Sequence, residues 1–243
     1  MRHLSPALRH QTRILAQRAS ANTEPGAPTS GSHYELQLYK LAEDKRRLKA
    51  IQSVKSKIAL KATLLPEYQA WVDGVLAAGN GGQDDVLTTL LVWYIDVGAF
   101  ERALLVARYA VAHKMTLPDQ YSRDIPTMLL DEFAGAYLNG NFGGPLADDP
   151  HQAVQILGAV GELTHDSDVP DQARAKLHKA LGYALLAVAN DGADDKLDFT
   201  PAKLPVAAAA NTNLHRALEL FEGVGVKKDI ERLERRLKKA PQG

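Results

Sequence analysis

Residues Asp84–Val111 read DDVLTTLLVWYIDVGAFERALLVARYAV, and this stretch decides the fold class. Val86, Leu87, Leu90, Leu91 and Tyr94 recur at i, i+1, i+4, i+5 and i+8, the rhythm of one helical face. Phe100, Ala103, Leu104, Ala107 and Val111 repeat it at i, i+3, i+4, i+7 and i+11. Asp84 and Asp85 stand where carboxylates accept free amides and complement the helix dipole, and Gly98 suits the positive φ that ends a helix. So short a turn makes the two helices an antiparallel hairpin. Ala103, Ala107 and Ala110 allow the close approach of tetratricopeptide-like pairs, although no second copy follows at a fixed period.

The same period extends outward in both directions. From Tyr34 to Lys61, Leu38, Leu41, Leu48, Ile51 and Ile58 form a narrow apolar stripe, suited to packing against a second helix of the same chain or of another copy. Lys40, Lys45, Arg46, Arg47, Lys49, Lys55 and Lys57 fill its other faces, and a break is expected near Ser53. Pro66 suits the first turn of a helix running to about Ala78. Further helices are expected through Met128–Tyr137, Ala153–Leu163, from Asp171 along the Ala173–Val188 stripe, and around Leu214–Phe221. Residues 139–150 read as a joint, and residues 190–204 as a polar loop inserted between helices. The last helix carries Val226, Ile230, Leu233 and Leu237 on one side and Lys228, Arg232, Arg235 and Lys239 on the other. With no alternating strand segment, the class is all-α, a helical bundle of antiparallel pairs.

Length allows one large domain or two small ones, and three regions are expected: a flexible basic arm and linker at 1–33, an N-terminal helical domain at 34–140, and a C-terminal one at 141–243. The arm carries Arg2, Arg9, Arg13 and Arg18 with no acid before Glu24. A transit peptide has such a composition, but the Pro, Gly and Ser-rich TEPGAPTSGS that follows favours an arm on a linker. No stretch is apolar enough to span a bilayer.

The 29 Lys and Arg balance the 29 Asp and Glu, yet the charges segregate. Residues 1–61 carry a balance of +8, residues 62–170 of −11, and residues 227–243 of +4. Such a molecule can hold a polyanion at its ends, and the same runs also fit solvated helix faces. Phosphate contacts from the first basic helix and the arm favour duplex DNA, with binding that weakens steeply in salt. Trp71, Trp93, Tyr94, Phe100 and Tyr109 fall on apolar faces rather than on a stacking platform for single strands.

Cysteine is absent, which excludes disulfides, thiolate nucleophiles and cysteine zinc sites and is compatible with a reducing cytoplasm. None of the eight histidines has a second within three to five residues, so no histidine metal site is expected. No glycine loop has phosphate-cradling spacing, which argues against ATP hydrolysis in this chain. A metal-dependent nuclease would draw on Asp73, Asp84, Asp85, Asp96 or Glu101. Asp85 and Asp96 share a helix face but lie about 16 Å apart along it, too far for one ion.

Four segments then carry a resemblance: YELQLYKLAEDKRRLKAI (Tyr34–Ile51), the run from Leu64 to Val111, VPDQARAKLHKALG (Val169–Gly182) and GVKKDIERLERRLK (Gly225–Lys238). Together with the turn around Trp93–Leu104, they resemble the small terminase subunit of Peduovirus-type tailed phages, a family of cohesive-end DNA packaging proteins. The resemblance implies recognition of viral double-stranded DNA near the cohesive-end site, a ring-like homo-oligomer, and recruitment of the large terminase subunit, whose ATPase drives packaging. It also implies action in the host cytoplasm rather than a place in the mature virion, with no cofactor of its own. Lys45, Arg46, Arg47 and Lys49 match the family's basic helix as DNA contacts, and Lys227, Lys228, Arg232, Arg235 and Arg236 match its terminal helix, facing DNA or the large subunit. Because the family is often described as the endonuclease subunit, the alternative is a magnesium-dependent cut by Asp73, Asp84, Asp85 or Asp96. A third reading is a helical adapter that binds protein only.

Overall fold

The computed structural model describes residues 5–118, 123–138, 146, 148–191 and 199–239, and these form ten α-helices and no strand. The chain divides into two units, Met1–Ile125 and Pro126–Gly243.

The first unit holds α1 (Pro6–Ala21), α2 (Ser32–Lys49), α3 (Val54–Ala78), α4 (Asp85–Asp96) and α5 (Phe100–Ala112). The expected flexible arm is instead α1, a folded helix capped by Ser5, whose Oγ accepts from Leu8 N at 3.2 Å. It packs on α3 where Gly74 removes the obstacle: a Cβ there would sit 2.4 Å from the Arg13 carbonyl oxygen and 2.6 Å from Ala16 Cβ. The expected linker is a strap. Gly26 N donates to Gly81 O at 3.0 Å, Thr29 N to Gln83 O at 2.8 Å and Gln83 N to Ala27 O at 2.8 Å. Paired backbone needs few apolar side chains, so a composition suited to disorder forms fixed structure here.

The break near Ser53 is present, and Ser53 caps α3 through Ser56 N at 3.3 Å. Pro66, expected in a first turn, lies inside α3 instead. The missing N–H frees the Ala62 carbonyl four residues earlier, and both residues are on the exposed side, where water can take its place. The α4–α5 hairpin turns at Gly98, whose φ is +77°. Leu64, Tyr68, Trp71, Val72 and Val75 of α3 are buried, as are Val86, Leu87, Leu90 and Leu91 of α4 and Phe100, Ala103 and Ala107 of α5.

The second unit contains α6 (Ile125–Leu138), α7 (Pro150–Leu163), α8 (Asp171–Asn190), α9 (Leu204–Leu220) and α10 (Lys227–Lys239). The division lies between Ile125 and Pro126, in the first turn of α6, whereas the sequence reading places a boundary at 140, and Lys176 Nζ of α8 donates to the Asp131 carbonyl oxygen of α6 at 2.9 Å. Residues 139–145 and 147 of the expected joint lie outside the described residues, but Leu146 is buried and Asp149 caps α7 through His151 N and Gln152 N. Residues 192–198 of the expected loop are also outside, whereas Phe199 is buried in the α8–α10 core. The α8 and α9 helices approach closely at Gly182, where a Cβ would meet Leu214 Cδ2 at 2.8 Å. Val226, Ile230 and Leu233 seat α10 on the same core.

If Gly74 is what admits α1, Gly74→Ala lowers stability by about 1–3 kcal/mol. Amide exchange across residues 6–21 then accelerates more than exchange in α4, and equal protection of α1 in both proteins would refute the close packing.

Candidate nucleic-acid interface

The basic helix α2 turns Tyr34, Leu41, Asp44 and Leu48 inward. At its start the Tyr34 ring stacks on Trp71, centroids 5.9 Å apart, and the Tyr34 hydroxyl accepts from Asp85 N at 3.0 Å. Halfway along, the Asp44 carboxylate, only 4% exposed, accepts from the Tyr68 hydroxyl at 2.7 Å, Lys40 Nζ at 3.1 Å and Arg47 Nη1 at 2.8 Å. Burial, with Asp44 beside it, pushes the Tyr68 hydroxyl far above the usual tyrosine range.

This network sorts the seven candidate cations on α2 and the start of α3. Lys40 is also 3.1 Å from Glu67 and lies 3.7 Å over the Tyr68 ring, so its charge is matched inside the fold. Arg47 spends one donor on Asp44, though half of its side chain is exposed. Lys45 is half-buried; burial lowers its pKa, with the nearby Asp85 opposing the shift. Arg46, Lys49 and Lys55 are exposed and Lys57 partly so, with no ion pair among the described residues. These four flank the turn at residues 50–53, between the electronegative end of α2 and the electropositive start of α3, which has no acid in its first turn. Long solvated cations there can take up phosphate oxygens without reading bases. On α1, Arg13 and Arg18 add exposed positive charge.

The terminal helix sorts in the same way. Arg236, expected to face DNA or a partner, is 9% exposed; its Nη2 donates to Asn190 Oδ1 at 3.0 Å and its guanidinium lies 3.9 Å over the Phe199 ring. It follows Leu233 by three residues and so falls on the inner face. Lys227 pairs with Glu222 at 2.6 Å and Arg232 with Asp229 at 3.2 Å. Arg235 donates Nε to the Glu231 carbonyl at 3.1 Å, while Lys228 and Lys239 are exposed. The Tyr183 hydroxyl donates to Asp229 at 2.8 Å, and His215 Nε2 lies 2.9 Å from Glu234 Oε1; both fasten α10 to its neighbours.

The four carboxylates of the nuclease alternative have separate structural partners. Asp73 pairs with Arg102, and Asp96 with Lys61. Asp85 accepts from Gln83 Nε2 at 3.0 Å. Asp84 is fully buried and accepts from Leu87 N and Trp71 Nε1, each at 2.9 Å. Burial pushes its pKa up to about 6, against those hydrogen bonds. Among the described residues no group of three His, Asp or Glu side chains is placed to hold a metal ion. The sequence reading missed Asp44, although its place between Leu41 and Leu48 on the apolar stripe marks it as a buried polar residue.

Comparison with known proteins gives a consistent relationship. The family described as phage small terminase subunit matches residues 38–172. The chain is 41% identical over 238 residues to the "terminase, endonuclease subunit" of Escherichia phage P2, covering 98% of this chain and 87% of that one. It is 24% identical over 219 residues to the "probable terminase, endonuclease subunit" of Haemophilus phage HP1, covering 90% of this chain and 75% of that one. No solved structure matches.

Two outcomes follow from the buried carboxylates. Asp44→Ala strands the Tyr68 hydroxyl and is expected to cost about 2–3 kcal/mol in denaturant unfolding, and a loss of less than about 0.5 kcal/mol would contradict the network. For Asp84 the folded pKa of about 6 exceeds the unfolded value of 3.8, so the folded state binds the extra proton and stability falls as pH rises from about 4 to 6. That decline, a few kcal/mol, should be smaller in Asp84→Asn; parallel stability curves for the two proteins would contradict it.

Proposed function

The chain belongs to the phage small terminase subunit family, and on that premise we propose that it binds viral double-stranded DNA at the cohesive-end packaging site, self-assembles as a ring-like homo-oligomer, and recruits and regulates the large terminase subunit. The observation that carries the DNA part is the group of uncompensated cations at the α2–α3 corner: Arg46, Lys49, Lys55 and Lys57. Arg47 contributes its exposed half. Lys40 is withdrawn from this surface by Asp44 and Glu67, and Lys45 by burial. The exposed side of α10, with Lys228, Arg232, Arg235 and Lys239, is offered to DNA or to the large subunit. No helix is long and apolar enough to cross a membrane among the described residues, and the proposed site of action is the host cytoplasm.

A second reading follows from the names of the relatives: an endonuclease that cuts the cohesive-end site. It would require magnesium and a convergence of carboxylates, and Asp73, Asp84, Asp85 and Asp96 are each engaged elsewhere. Nicking of cohesive-end duplex by the purified chain with magnesium, abolished in Asp73→Asn, would establish it over the DNA-binding reading.

Binding to cohesive-end duplex, titrated from 0.05 to 0.3 M salt, tests the main proposal. In the Arg46→Glu, Lys49→Glu, Lys55→Glu triple variant, affinity is expected to fall more than about 10-fold, and the slope of log K against log salt to shrink by about one per lost phosphate contact. An unchanged affinity and slope would overturn it.

A further inference from the structure

The outward side of α2 does not resemble a solvated helix face. Leu36 is 63% exposed and Tyr39 68%, the two most exposed large apolar side chains among the described residues, and they stand one turn apart. With Glu43 and Arg46 they form a stripe at spacings of three, four and three residues, opposite the buried Tyr34, Leu41, Asp44 and Leu48. That is the seam rhythm by which two helices interlock, and exposed apolar side chains in such a row mark a contact surface.

We infer that this stripe is where a second copy of the chain docks, with the two α2 helices packed antiparallel. Leu36 then faces the second copy's Arg46, and Tyr39 faces its Glu43. The direction follows from charge. The first part of α2 carries Glu35, and the last turn carries Arg46, Arg47 and Lys49. A parallel pair would stack cation on cation at one end, whereas an antiparallel pair brings Glu35 of each copy to the basic end of the other, and the methylenes of Arg46 cover Leu36. The same charges argue against nucleic acid as the occupant. Glu35 and Glu43 are exposed on this side and would meet phosphate with like charge, while Lys55 and Lys57 lie on α3. The inference rests on the proposed self-assembly and names a surface that joins two copies; being two-fold, this pairing closes at a dimer, and a ring takes a second, head-to-tail surface besides it.

The chain has no cysteine, so cysteines can be introduced as clean probes of register. Full-length chains carrying Leu36→Cys are mixed with chains carrying Arg46→Cys and oxidised. The antiparallel pair yields a disulfide-linked dimer in the mixture and little in either variant alone, because like positions are then about 15 Å apart along the axis. As readily formed links between two Leu36→Cys chains would overturn the direction. Independently, Leu36→Asp with Tyr39→Asp alters exposed positions only, so helical content is retained while self-association weakens at least 10-fold in sedimentation. Unchanged association of that variant overturns the surface but leaves self-assembly standing. A wild-type chain that remains a monomer at every concentration removes both.

Discussion

The carboxylate of Asp84, withdrawn wholly from water, is the point on which the first unit depends. An isolated buried charge is costly, and here the hydrogen bonds from Leu87 N and Trp71 Nε1 reduce that cost without cancelling it. The same residue therefore starts α4 and fixes α3 against it. The Trp71 ring that donates to Asp84 is also the surface on which Tyr34 stacks, and the Tyr34 hydroxyl accepts from the next amide, Asp85 N. Three helices thus meet at one buried polar cluster, and it sets where α2 begins. Asp44 and Tyr68 fix the middle of α2, so the position of its basic end beside the start of α3 follows from two buried carboxylates.

What the sequence revealed was local. Helical period, the break near Ser53, the cap at Asp84 and the turn at Gly98 all depend on residues within one or two turns of each other, and each stands where the pattern puts it. What it concealed depends on partners far along the chain. α1 is held by Gly74, more than fifty residues away, and the strap, in a window rich in Pro, Gly and Ser, pairs residues 26–29 with 81–83; neither partner is visible in the local sequence. Pro66 was misplaced because a proline on the wet side of a helix has water for the carbonyl it frees. The candidate surface was half legible: the basic run was evident, but which of its cations remain free is decided by Asp44, Glu67 and Asp85, and only Asp44 lies on the same helix.

This changes the meaning of the charge segregation. A balance of +8 over residues 1–61 suggests a broad positive end, yet Lys40 and Lys61 are matched by Glu67 and Asp96, which belong to the acidic middle, and Arg47 by Asp44. Part of the segregated charge is thus consumed in holding the first unit together. The positive surface that remains is narrower than the count implies, and at the α2–α3 corner it consists of Arg46, Lys49, Lys55 and Lys57.

On α2 the two proposed surfaces share one residue. The outward stripe ends at Arg46, and the α2–α3 corner begins with it. A side chain cannot give its guanidinium fully to a phosphate and to Glu35 of a neighbouring copy, so pairing and DNA binding are thermodynamically linked, each altering the other by the same factor. The sign depends on whether the shared arginine or the added proximity of two basic corners dominates. Salt separates the terms, since phosphate contacts weaken steeply with ionic strength while an apolar seam built on Leu36 and Tyr39 does not. Of the two proposed surfaces, the apolar pairing surface is therefore the one expected to persist as salt rises.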